Sequence, residues 1–285
     1  MSRRKGAIEV NGDREPTVTR VVSRDGTEIA YWTTGEGPPL VLVHGAPADH
    51  TRWRPLLPYL EPHATVHAMD RRGRGASGDA PSYTVAREFE DVAALIDAVA
   101  EASASAVDVY GHSSGGFYAF GAATLTTNIR KLVLYEGWPT VSPDAFAFPP
   151  GVGERLDALL GEGNREAALE TFVREVVMVS EEELNALRAQ ESWPARVDAM
   201  HTIPREMRSF PDAPFDPKQA ANITVPTLLV TGSDSPDPSK ADIETVAAAL
   251  PDARILVIEG QQHVADVLVP EVFAEHLLAF LRHRR

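Results

Sequence analysis

Cysteine is absent from all 285 residues. No disulfide framework or thiolate metal site can exist, and the composition suits a reducing compartment, so a cytoplasmic protein is expected. Long apolar runs are also missing: no stretch approaches the roughly 18 residues of a membrane span, and no membrane association is expected. Positive charge is scarce. The chain has 27 basic and 41 acidic residues, a formal charge of −14, which favours solubility and argues against nucleic acid or another polyanion as partner. The first six residues are basic like the start of a signal peptide. Glu9, Asn11, Asp13 and Arg14 then occupy the place of an apolar core, so residues 1–15 are expected to be a flexible, solvated tail. There is no internal repeat and no low-complexity tract. The length suffices for one large α/β domain, or one domain carrying an insertion.

What is present centres on residues 107–116, Val-Asp-Val-Tyr-Gly-His-Ser-Ser-Gly-Gly. An apolar run ends in Gly-x-Ser-x-Gly and opens into a small-residue helical pattern over 117–126. A serine on so sharp a strand-to-helix turn sits in strained backbone, so the positions two before and two after it must be small, as Gly111 and Gly115 are. The turn lifts the Ser113 hydroxyl above a sheet and aims the first amides of the following helix at a reacting centre, where they would stabilise negative charge.

The rest of the chain supplies that sheet. Residues 17–23 and 28–34 alternate apolar and polar around Arg24-Asp25-Gly26, which predicts an antiparallel hairpin. A continuous apolar run at 40–43 predicts a strand buried on both faces, 65–69, 106–110 and 131–135 read as further buried strands, and 225–230 and 254–258 as the last two strands. Phe89, Val92, Leu95, Ile96 and Val99 recur at helical spacing between two of them. Strands alternating with helices predict an α/β fold with a mostly parallel, eight-stranded sheet covered by helices on both faces. Between about 140 and 222 the alternation stops. Helical periodicity appears at 155–160, 165–179, 181–190 and 195–200 without a buried strand, and prolines cluster at both borders, Pro143, Pro149 and Pro150 before and Pro211, Pro214 and Pro217 after. The expected organisation is a core of 16–139 and 223–285 with a helical cap at 140–222. Residues 232–240 are expected as a loop, and a last helix at 272–281 ends in basic residues that suit its dipole. Chemistry in such sheets sits at the carboxyl ends of the strands, where His44, Asp70, Ser113, Glu136, Asp234 and His263 all fall.

With His44-Gly45-Ala46-Pro47 after the third strand, the glycine-rich turn 70–78 after the fourth, the serine turn after the fifth and a histidine loop after the last, residues 18–281 resemble the α/β-hydrolase family. Serine, then acid, then histidine is that family's order. The resemblance implies an acyl-enzyme mechanism without cofactor or metal, with Ser113 as nucleophile and His263 as base. The oxyanion hole would be the backbone amides of Ala46 and Ser114. An acid would hold the His263 tautomer. The family commonly places it three residues past a glycine after the seventh strand, yet three past Gly232 stands Ser235. Asp234 comes one early and Asp237 two late, while Glu136 ends the sixth strand, the source used by other members. Asp234 is favoured because its loop is the commoner source, and Glu136 stays open beside it.

Other residues have blander readings. His44 and His112 are expected to hydrogen-bond loops around the site, and Asp70 to order the turn after it. Trp53, Phe117, Tyr118, Trp138 and Trp193 are candidates for an acyl pocket, though aromatics pack cores more often. Within the cap, Phe172, Val176, Trp193 and Met200 are expected to influence acyl preference. The expected function is hydrolysis of a small or medium carboxylic ester or lactone, the partner being a small, partly apolar carbonyl compound. The alternatives are a cofactor-free lyase, cyclase or C–C bond hydrolase using His263 as base, and a non-catalytic binding protein on the same fold.

Overall fold

The computed structural model describes residues 17–141, 148–240 and 242–283. The expected tail, Pro143 and the last two arginines lie outside these residues. Eight strands form one sheet: β1 (Thr17–Val22), β2 (Glu28–Thr34), β3 (Pro39–Val43), β4 (Thr65–Met69), β5 (Val107–His112), β6 (Ile129–Tyr135), β7 (Thr227–Gly232) and β8 (Ala253–Ile258). Their order is β1-β2-β4-β3-β5-β6-β7-β8. β2 runs antiparallel to β1 and to β4, and the remaining neighbours are parallel. Every residue of β3, β5 and β7 is buried, which is why those strands read as largely apolar, the buried Asp108 of β5 being paired with Arg130. β8 is an edge strand, and Ile255 and Val257 are exposed on it.

Two apolar layers sandwich the sheet. On one face Val41, Val109 and Leu134 pack with the helices Val85–Ser103, Ser114–Ala122 and Ile243–Ala249. On the other, Leu42, Tyr110 and Tyr135 pack with Trp53, Leu60 and the helix Pro270–Arg282. Trp53 is therefore a core residue, tilted against Tyr110 with ring centroids 5.2 Å apart. The helix Val85–Ser103 buries Val92, Leu95, Ile96 and Val99 as its spacing requires, and with them Glu88 and Asp91. Those two carboxylates are paired: Arg71 donates to both oxygens of Glu88 and Arg72 to both of Asp91.

Between β6 and β7 the described residues are helical. Helices occupy Val152–Gly161, Arg165–Phe172, Glu181–Arg188, Trp193–Ala199 and Ile203–Ser209 around a third apolar cluster that includes Leu169, Leu184, Trp193 and Met200. A π turn at Val173–Val177 ends the second of them, where periodicity alone predicts one helix running to 179. Ile203–Ser209 has no counterpart in the sequence reading. Pro204 lies in its first turn, where the missing amide costs nothing. The expected 232–240 loop likewise contains a short helix, Asp237–Lys240.

Candidate active site

Ser113 is held at φ 55° and ψ −135° between β5 and the helix Ser114–Ala122. A non-glycine residue in that conformation stores ~1–3 kcal/mol, which its surroundings must offset. The Ser113 amide donates to the Tyr135 carbonyl at 2.8 Å, and its own carbonyl accepts from Gly116 at 2.8 Å. A Cβ on Gly111 would lie 2.6 Å from both the Gly115 oxygen and the Gly116 Cα, and one on Gly115 would crowd the Val43 and His44 carbonyls. Both glycines are thus demanded by close backbone approach. Gly137, which the sequence reading passed over, is equally constrained, since a Cβ there would overlap the Ser113 carbonyl.

Glu136, directly after β6, also has a positive φ, 44°. Its Oε2 accepts a 2.7 Å hydrogen bond from His263 Nδ1. Its Oε1 accepts from Thr231 Oγ1 at 3.0 Å, the Gly232 amide at 3.2 Å and the Ser235 hydroxyl. Burial alone would raise the Glu136 carboxyl. The His263 hydrogen bond and charge, together with Ser235 and Gly232, outweigh it and hold the group below its ordinary range, so it stays ionised beside the imidazole. With Nδ1 taken by Glu136, Nε2 is the His263 nitrogen left for the cavity that Ser113 and His263 both line.

Asp234, the carboxylate favoured from sequence, is elsewhere. It is exposed, accepts from its neighbour Ser233 Oγ at 2.9 Å, and its amide donates to Gln261 O at 3.0 Å. Asp237 is also exposed and opens the short helix Asp237–Lys240. The geometry corrects the preference. In the loop after β7 the group that turns toward the histidine system is Ser235, and it donates to Glu136 instead of replacing it.

The loop bearing His263 is tied to the sheet from below. His112 Nε2 donates to the His263 carbonyl at 2.7 Å, and the Ala265 amide donates to the Tyr135 hydroxyl at 3.0 Å, whose own proton goes to the Gln262 carbonyl. Asp266, buried, accepts from Arg52 Nη2 at 3.1 Å and from the Tyr110 hydroxyl at 3.0 Å. His44 Nδ1 donates to Gly45 O at 2.8 Å while its Nε2 accepts the Arg71 amide at 3.1 Å. Burial pushes the pKa of both His44 and His112 well down, so they are neutral spacers. Ala46 and Ser114 line the cavity, and among the described residues neither backbone amide has an acceptor. Two unpartnered donors beside Ser113 suit a developing oxyanion.

Asp70 accepts from Trp32 Nε1, the His50 amide and ring, and the Ala76 amide, the last of which fixes the glycine-rich turn. Asp49, His50 and Asp70 are the one cluster of ligating side chains among the described residues. Both Asp70 oxygens and the His50 ring nitrogen already serve these bonds, and Asp49 Oδ1 accepts from the Thr51 amide and hydroxyl.

A cavity of about 450 Å³ lies over Ser113. Phe117 and Trp138 line it from the core, and Phe172, Val176 and Phe210 from the helical segment. The other aromatic candidates do not: Tyr118 lies beneath the Arg71 guanidinium at 4.3 Å, and Trp193 donates to Glu166 inside the third cluster, where Met200 is also buried. The sequence reading missed Glu206, which lines the cavity from Ile203–Ser209 and is buried. It pairs with Arg71 Nη2 at 3.0 Å and with Arg74. Arg71 Nη1 also donates to Ser114 Oγ at 3.3 Å. The legible trace of this network was Glu88, an acid on the apolar face of a helix.

The sequence profile of the alpha/beta hydrolase family matches residues 40–276. A crystal structure of an alpha/beta hydrolase from Sphaerobacter thermophilus superposes with a TM-score of 0.75 at 37% identity, over 91% of this chain and 100% of that one. An (E)-2-((N-methylformamido)methylene)succinate hydrolase from Acinetobacter baylyi is 25% identical over 253 residues, 88% of this chain and 93% of its own. A pimeloyl-(acyl-carrier protein) methyl ester esterase from Xanthomonas campestris pv. campestris is 26% identical over 251 residues, 87% and 96% of the two chains. No helix among the described residues is long and apolar enough to cross a membrane. Because the matched region runs from β3 into the last helix and takes in every strand of the parallel sheet, the chain belongs to the alpha/beta hydrolase family.

Proposed function

We propose that this protein is a serine hydrolase cleaving a small or medium carboxylic ester or lactone through an acyl-enzyme on Ser113. The observation that carries the reading is the 2.7 Å bond from His263 Nδ1 to the ionised Glu136, in the cavity that also exposes the strained Ser113. His263 Nε2 takes the hydroxyl proton as Ser113 Oγ attacks the carbonyl carbon. The negative oxygen of the tetrahedral adduct is received by the amides of Ser114 and Ala46. The adduct collapses, the C–O bond to the alcohol breaks, and His263 returns the proton to that oxygen. Water, deprotonated by the same nitrogen, then attacks the acyl carbon, the bond to Ser113 Oγ breaks as His263 returns the proton to that oxygen, and the acid leaves. Glu136 keeps Nε2 free of its proton in the resting state and stabilises the imidazolium when it forms.

Relatives described as acting on a methyl ester and on a succinate derivative support hydrolysis as the reaction class. Serine as nucleophile supports carbonyl substrates. The segment 140–222 acts as a cap that excludes water and shapes the acyl pocket, a role its contribution of Phe172 and Val176 to the cavity supports.

Ser113→Ala tests this directly. Turnover of a chromogenic ester should fall by several orders of magnitude, on the order of 10⁴-fold or more, and covalent capture by a fluorophosphonate should disappear while the thermal midpoint stays put. If the variant keeps most of its turnover, the acyl-enzyme reading is wrong.

A further inference from the structure

The charges around the cavity say what the acyl group must be. Among the described residues lining it there is no Lys or Arg side chain, while three carboxylates, Glu136, Glu206 and Asp242, are present. Glu136 is committed to His263 and Ser235. Glu206 is neutralised from inside the wall by Arg71 and Arg74, the former also saturated by Glu88. Asp242 accepts the Val141 amide at 2.8 Å. These arginines do not line the cavity, so among the described residues no Lys or Arg side chain is offered to a ligand there. Beyond the three carboxylates and Ser113, Ser114, Thr140 and His263, the wall is apolar and rich in rings: Phe117, Trp138, Phe148, Phe172 and Phe210 all contribute. Phe117 from the core and Phe210 from the helical segment stack on each other, with centroids 5.3 Å apart and planes at 30°.

Volume sets the scale. A cavity of about 150 Å³ holds a benzene molecule, so the 450 Å³ here gives room for an acyl group of one ring and a short chain, with its leaving group beside it.

We propose that the site selects an uncharged, ring-bearing acyl group and rejects substrates that carry a free carboxylate. This rests on the serine-hydrolase reading and narrows it. A carboxylate entering this cavity would lose its water and meet no Lys or Arg among the described lining residues. An aromatic ring would instead meet edges and faces of other rings. The same wall acts on the product. Deacylation turns a neutral ester into an anionic acid, which then has no partner in the cavity and is expelled, so inhibition by product should be weak.

Two measurements test the proposal. In the first, the 4-nitrophenyl ester of glutaric acid is compared with its methyl-capped counterpart at pH 8, two probes of nearly equal length that differ by one charge. The capped ester should have the higher kcat/KM by on the order of 10³-fold, and the 4-nitrophenyl ester of 3-phenylpropionate should exceed that of hexanoate. Rates for the charged and capped esters within 10-fold of each other, or hexanoate preferred over the ring, would overturn it. The second needs no turnover: binding of 3-phenylpropionamide and of 3-phenylpropionate is followed by tryptophan fluorescence, to which Trp138 in the wall contributes. The neutral amide should bind at least about 10-fold tighter, and equal affinities or tighter binding of the acid would sink the idea. Loss of fluorophosphonate capture together with selective amide binding would refute the hydrolase reading alone, whereas capture at Ser113 with preference for the charged ester would refute this proposal alone.

Discussion

At the scale of single residues, the site depends on two backbones in an unfavourable region, Ser113 at φ 55° and Glu136 at φ 44°. They end adjacent strands, and the amide of one is bonded to the strand of the other, so the turns are mutually braced. Replacing Glu136 by Gln keeps the shape but removes the charge and offers an amide where His263 needs an acceptor. Turnover should fall by roughly 10³–10⁴-fold, as when a triad aspartate becomes asparagine, while Asp234→Asn should lose less than about 3-fold, as expected of an exposed polar change. Steady-state kinetics on both variants decide between them, and comparable losses would mean that Glu136 does not orient His263. Gly137→Ala makes a sharper structural test. Its methyl would collide with the Ser113 carbonyl, and a stability loss on the order of 4 kcal/mol or more is expected in urea unfolding.

At the scale of elements, the short helix Ile203–Ser209 matters most, because it carries Glu206 into a buried ion cluster with Arg71, Arg74 and Glu88. Tyr118 and Tyr83 donate to the same two carboxylates, Glu206 and Glu88. A second tie runs from the helix Trp193–Ala199, whose Arg196 Nη1 donates to the Pro47 carbonyl at 3.1 Å, next to Ala46. Burial would raise the Glu206 carboxyl, but Arg71 and Arg74 lower it below its ordinary value of 4.5. Because the folded pKa is depressed, the stabilisation is fully present above the unfolded value and is lost as pH falls below it. Glu206→Gln leaves two buried guanidiniums with one fewer counter-charge. It should cost ~3–5 kcal/mol near pH 7, and the gap to the parent should narrow as pH drops below about 4. Chemical denaturation at a series of pH values measures this, and a gap that is constant or widens toward acid would contradict the assignment.

At the scale of the whole molecule, three apolar clusters are joined rather than separate. The third contains Val264 and Val267, which follow His263 in the chain, so the helical segment packs on the His263 loop as well as on itself. Arg52 and Asp266 pair from opposite ends of the sequence beneath that loop. Thermal unfolding should therefore be a single transition, with calorimetric and van't Hoff enthalpies in agreement and fluorescence coinciding with far-ultraviolet dichroism. Two resolved steps would show that the residues between β6 and β7 melt on their own.

The sequence by itself determined the sheet and the place of the serine. Apolar runs bounded by turn residues marked the strands, though β8 lies at the edge with Ile255 and Val257 exposed, and the serine between two glycines at a strand-to-helix junction marked the turn, whose strained backbone the neighbouring strand then holds through the Tyr135 carbonyl. It also determined the candidates, because every chemically useful side chain of the core follows a strand. Only the tertiary structure decided which acid meets His263. Glu136 and His263 are 127 residues apart, and spacing along the chain says nothing about whether a loop after β7 turns an aspartate inward or, as here, a serine. The arginine network was hidden for a related reason: Arg71, Glu88 and Glu206 come from three separate elements, and a buried charge becomes intelligible only when its partner is in place. The wall of the cavity is the extreme case. Local periodicity fixes that a segment is helical, but which of its apolar faces covers Ser113 and which packs internally follows from the sum of contacts across the fold, and so the chemistry the pocket accepts is a property of the assembled molecule.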